Sequence, residues 1–106
     1  MTPDEIEAVI PSYASEDFPG RNEYTVHLAC RWVSRWASWM RRRNHKEITA
    51  ETLRAYCEEV YHNYAPATAE NYWIYVKRFL CWLERTNRIT ESPHRMFRTQ
   101  ASHKFK

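Results

Sequence analysis

One glycine in 106 residues, Gly20, rules out most sheet architectures. Antiparallel sheets need tight turns every ten residues or so, and those turns draw on glycine for their left-handed backbone. Aromatic residues make up 15% of the chain, and large rings at helical spacing can fill a core without β-branched strands. The expected fold is therefore all-α, a compact bundle of four to five helices. A chain of this length fits one domain with a modest core.

Helix boundaries follow from local chemistry. Thr2, Pro3, Asp4 and Glu5 form a start signal, with a capping hydroxyl, a proline suited to the first turn and acids at the positive end of the dipole. Pro11 is expected to end this short helix, and "SYASEDFPG" reads as a loop. A long helix is expected from Asn22 to about Asn44, with Ala29, Trp32, Val33, Trp36, Trp39 and Met40 on its apolar face. Thr49 should cap a third helix carrying Leu53, Tyr56, Cys57 and Val60 inward and ending near His62 or Asn63. Pro66 opens the last, to about Arg85 or Thr86, with Ala69, Tyr72, Trp73, Val76, Phe79, Leu80 and Leu83 inward; Asn87 is placed to stop it. Residues 94–106 are basic and poor in packing signals, and read as a linker or tail.

The two long helices repeat one design at a constant offset. Thr25, Ala29, Val33, Trp36, Trp39 and Met40 correspond to Thr68, Tyr72, Val76, Phe79, Trp82 and Leu83, and Arg35 and Arg42 correspond to Arg78 and Arg85. Any two amphipathic helices echo one another to some degree, so periodicity alone does not carry a function.

Charge narrows the field. The formal balance is +3, yet the first twenty residues are acidic through Asp4, Glu5, Glu7, Glu16 and Asp17, and the chain from Arg21 onward is basic. No apolar run approaches the roughly 20 residues of a membrane span, and the acidic start is unlike a signal peptide, so an intracellular, cytoplasmic protein is expected. Cys30, Cys57 and Cys81 show no Cys-x-x-Cys spacing and read as reduced, packed thiols. His27 and Cys30 offer two zinc ligands without a second pair, so neither a metal nor any other cofactor is expected. Glu58 and Glu59 point to different helix faces and do not suggest acid/base catalysis.

A cationic helical surface suits duplex DNA. The first turn of a helix offers N–H groups and a positive dipole end to phosphate, and Thr25 and Thr68 sit there on the two long helices. One turn on, His27 and Arg31 of one helix and Asn71, Tyr75 and Arg78 of the other face away from the apolar stripes, where a groove-bound helix reads base edges. The simpler readings stand beside these: Thr25 and Thr68 as capping residues, Tyr75 and Trp82 as half-buried packing, Arg41 to Arg43 as a solvated helix end.

Taken in order, the threonine-led blocks "HLACRWVSRWASWMRRRN", "ITAETLRAYCEEV" and "APATAENYWIYVKRFLCWLERTNRI", followed by a proline, resemble the core-binding domain of tyrosine recombinases and phage-type integrases, a SAM-like helical fold. The pattern is nearest the lox-site type, and the acidic leading helix is similar to that subgroup. The resemblance covers Arg21 to Pro93. It implies a short N-terminal helix and loop over 1–20, a core-binding domain over 21–93, and a linker over 94–106 toward a catalytic domain that this sequence lacks. It further implies that the two long helices cross near a groove, with Thr25, His27, Arg31, Arg35, Thr68, Asn71, Tyr75 and Arg78 on DNA. The implied partners are double-stranded DNA, the catalytic domain of the same recombinase and neighbouring protomers, in the nucleoid. The family's cleavage chemistry uses a tyrosine, two arginines, a lysine and histidines in that other domain. No His-x-x-Arg occurs here, so the chain alone is expected to bind and not to cleave. A helical protein-interaction module with an incidentally basic surface is the competing function.

Overall fold

The computed structural model describes residues 1–18 and 20–90, and these form an all-α fold of four helices. The expected linker over 94–106 lies outside the described residues. The chain divides into two units, Met1–Glu47 and the part from Ile48 onward. Each is a helical hairpin: a 14-residue helix followed by one of 20 residues.

In the first unit, α1 (Pro3–Glu16) begins at a reciprocal cap. The Glu5 N–H donates to Thr2 Oγ1 at 3.2 Å and the Thr2 N–H donates to Glu5 Oε1 at 2.8 Å, so two otherwise orphaned donors are satisfied at once. Contrary to the expectation, Pro11 does not end the helix, which continues for five more residues. Pro11 removes one N–H and crowds the carbonyl four residues back. Burial on both sides of it outweighs that loss, because Ile6 and Tyr13 are both fully buried and α1 packs along α2. The loop is correspondingly shorter. Phe18 folds back edge-on against Tyr13, with ring centroids 5.1 Å apart, and Gly20 takes the positive φ of 73° that the turn requires.

Helix α2 (Glu23–Arg42) starts at Asn22, whose Oδ1 accepts the Thr25 N–H at 2.8 Å. Ala29, Val33, Trp36, Ala37, Trp39 and Met40 are its buried residues. Trp32, expected in the core, is half-buried at the edge of that face, with the Arg35 guanidinium 4.9 Å from its ring centroid. The helix stops through a left-handed Asn44, φ 60°. The His45 N–H donates to the Met40 carbonyl at 2.8 Å and the Asn44 N–H to the Arg41 carbonyl at 3.2 Å, the paired bonds of a Schellman motif. The His45 ring then stacks on Trp39 at 5.1 Å.

The second unit uses the same parts. Thr49 Oγ1 accepts the Thr52 N–H at 3.1 Å to open α3 (Ala50–Asn63), and the buried Thr52 hydroxyl lies 3.0 Å from that of Thr49. Leu53, Tyr56, Cys57 and Val60 are buried as expected. Pro66 forces the preceding residue into extended backbone, ending one helix and starting the next, α4 (Pro66–Arg85), which packs on α3. Its buried residues are Ala69, Trp73, Val76, Phe79, Leu80, Trp82 and Leu83. Tyr72 is half-buried, its ring edge-on to Tyr64 at 4.9 Å. Asn87, φ 62°, ends α4 as foreseen, through the same two bonds: Arg88 N–H to the Leu83 carbonyl at 2.8 Å and Asn87 N–H to the Glu84 carbonyl at 3.1 Å. Arg88 covers Trp82 at 4.4 Å, as His45 covers Trp39. The repeat therefore extends past the helices into their stop signals.

Candidate nucleic-acid interface

The eight residues assigned to DNA fall on two helices, one in each unit. On α2, His27, Arg31 and Arg35 are exposed at four-residue spacing and so line one outward face. The stripe extends in both directions to residues outside those eight. Tyr24, 71% exposed, stands seven residues before Arg31, and the exposed Arg42 stands eleven after it. Those separations, about two and three turns, return to the same side of the helix. Glu23, four residues before His27, is the one acid of the helix and sits at the head of this row; beyond it α2 contains none.

The expected run of three arginines at the end of α2 divides into three roles. Arg42 joins the stripe. Arg43 is the C-cap residue, its backbone N–H donating to the Trp39 carbonyl at 3.0 Å. Arg41 is drawn to α1: its Nη1 donates to Glu7 Oε1 at 2.8 Å, and its Nη2 donates to Glu7 Oε2 at 3.1 Å and to Asp4 Oδ1 at 2.5 Å. The guanidinium holds the Glu7 carboxyl below its ordinary range, and both carboxylates raise the arginine further.

Thr25 is half-buried and is not the capping residue, since Asn22 is the N-cap and accepts the Thr25 N–H. The signal was available: Asn22 stands three residues earlier, at the position a cap requires. Thr68 is likewise not a cap, because the N-cap position of α4 is Ala65.

The start of α4 is built differently. Ala65 offers no side-chain bond, Pro66 has no N–H, and the first turn contains no acid. Ala65, Pro66, Ala67 and Thr68 are all exposed, so the positive end of this dipole opens to solvent beside the Thr68 hydroxyl. Thr68, Asn71, Tyr75 and Arg78 follow at steps of three, four and three along one flank. Thr68 and Asn71 are exposed; Tyr75 and Arg78 are half-buried, so Arg78 does not stand clear of the core as expected. The next position, Trp82, expected to be half-buried, is 1% exposed and closes the flank under Arg88.

Burial sets the remaining titratable chemistry. Burial raises the Cys30 thiol, which opposes the thiolate that zinc would need beside His27. Tyr56 and Tyr61 phenols are both pushed well above their ordinary value, by burial first and by neighbouring acidic groups second. Among the described residues no three His, Cys, Asp or Glu side chains gather as a metal site, and no helix is long and apolar enough to cross a membrane. The Lys/Arg and Asp/Glu counts over residues 1–90 are equal at twelve each, and the formal +3 arises from residues 91–106. Comparison with protein-family models, characterised proteins and solved structures finds no match to this chain.

Proposed function

We propose that the chain is the duplex-DNA-binding, core-binding domain of a site-specific tyrosine recombinase or integrase. It would hold the recombination site in the nucleoid while a catalytic domain of the same enzyme, with neighbouring protomers, carries out strand exchange. The observation that carries this reading is the α2 stripe, in which His27, Arg31, Arg35 and Arg42 present one outward face that is free of acids of its own helix beyond Glu23 in the first turn. Polyanion affinity follows local charge density more than net charge, so a balanced 1–90 does not count against it. The open start of α4, with Thr68 and Asn71 exposed, supplies a second element suited to phosphate and base edges.

The exposed Tyr24, Tyr64 and Ile74 favour a second reading, a helical protein-interaction module. Retardation of a duplex at several salt concentrations separates the two. Phosphate binding gives an affinity of about 10⁻⁴ to 10⁻⁶ M near physiological salt that falls steeply as salt rises. Arg31→Ala should weaken binding to a target and a scrambled duplex alike. An absence of retardation even at low salt would leave the interaction module as the standing function.

A further inference from the structure

The carboxylates of α1 and the basic end of α2 are joined through exposed side chains. Arg41 is 39% exposed, Glu7 38% and Asp4 88%, so burial does not force them together. Asp4 and Glu7 stand three residues apart, one above the other on α1, and together they engage both terminal nitrogens of Arg41. Arg42, the next residue, remains on the open stripe. Beside the clamp lies a cavity of about 360 Å³ whose walls include Asp4, Arg41, His45 and Lys46. An anion entering it would meet Lys46 and, once Asp4 swings away, Arg41.

From this geometry we propose that α1 is an internal phosphate mimic: Asp4 and Glu7 occupy Arg41 and hold it out of the polyanion-binding stripe until they are displaced. The inference rests on the duplex-binding reading and adds a regulatory element to it. Two carboxylates on one guanidinium reproduce the paired oxygens of a phosphate, and their tether gives them a local concentration that a weakly bound duplex must overcome. Solvent-exposed ion pairs of this kind are weak and screened by salt, so the mask can open without unfolding α1.

The test is a double-mutant cycle on the full chain with a random-sequence duplex as probe, each variant being checked for helicity by circular dichroism. Asp4→Asn/Glu7→Gln should tighten binding at low salt and release one further phosphate contact's worth of counterions. That would enlarge the ratio of affinities between about 50 and 200 mM salt by roughly threefold. The same two substitutions in an Arg41→Gln background should give no such enlargement. Arg41→Gln alone should leave wild-type binding almost unchanged, whereas Arg42→Gln should weaken it, a comparison that stands even if the α1 variant folds poorly. An equal gain in both backgrounds would show that removing negative charge suffices, and no gain in the first would show that Arg41 is not withheld; either overturns the mask while leaving duplex binding intact. A chain that binds no duplex in any form overturns both.

Discussion

Five threonines stand at helix starts, either at the N-cap or three positions further on, and that difference decides what each does. Thr49 is an N-cap whose hydroxyl takes a backbone N–H, whereas Thr68 is two residues inside α4 and exposed. Thr49→Ala should therefore cost about 1 kcal/mol of stability, and Thr68→Ala should stay within about 0.5 kcal/mol, as judged by urea unfolding. Equal losses would mean that Thr68 holds the helix start after all. The sequence showed a threonine in each first turn but not which turn position it held, because only the neighbouring Asn22 distinguishes the two in α2 and alanine leaves no mark in α4. The Glu7 contact was not legible at all, since it joins residues 34 apart. Its pH signature is nevertheless definite. The Arg41 hydrogen bond lowers the Glu7 pKa in the folded state, so the bond stabilises above the unfolded value of about 4.5 and is lost as pH falls through the folded value. Glu7→Gln should thus lower the melting temperature slightly at pH 7, with the gap to wild type closing in melts taken progressively below pH 4.5.

At the scale of the helix, start signals were read correctly from local chemistry, and the stop signals were read unevenly. Pro11 reads as a terminator because proline forfeits a backbone bond. The deciding term, burial of Ile6 and Tyr13 on either side of it, depends on tertiary packing that periodicity over so short a segment does not reveal. Since Pro11 is exposed and inside a helix, Pro11→Ala should restore the missing bond and raise stability by up to about 3 kcal/mol. No change in the unfolding midpoint would indicate that the proline's rigidity in the unfolded chain offsets its defect. Asn87 and Asn44 show the opposite case, local conformations that residue type does betray. Asparagine tolerates φ near 60° where alanine does not, so Asn87→Ala should cost about 1–2 kcal/mol, while Asn87→Gly should be neutral or better, by the same unfolding measurement.

Over the whole molecule, the all-α class was legible because so little glycine leaves few alternatives, and most buried positions followed from helical spacing. Trp32 and Trp82 depart from the expected burial in opposite senses, the first half-buried beside Arg35 and the second sealed under Arg88, because each lies on the edge of its stripe where a neighbour from outside the pattern decides burial. Phe79 lies well inside and is fully buried. Phe79→Ala should cost about 3–5 kcal/mol, a large part of the roughly 5–15 kcal/mol that holds a domain, and a melt within a degree of wild type would place it outside the core. The two hairpins share one plan, short helix then long, each long helix ending in a left-handed asparagine with a cationic or imidazole side chain over a tryptophan. The starts of the long helices break that likeness, since α2 has a side-chain cap and an acid there and α4 has neither. A ligand drawn to bare helix starts would tell two otherwise similar halves apart.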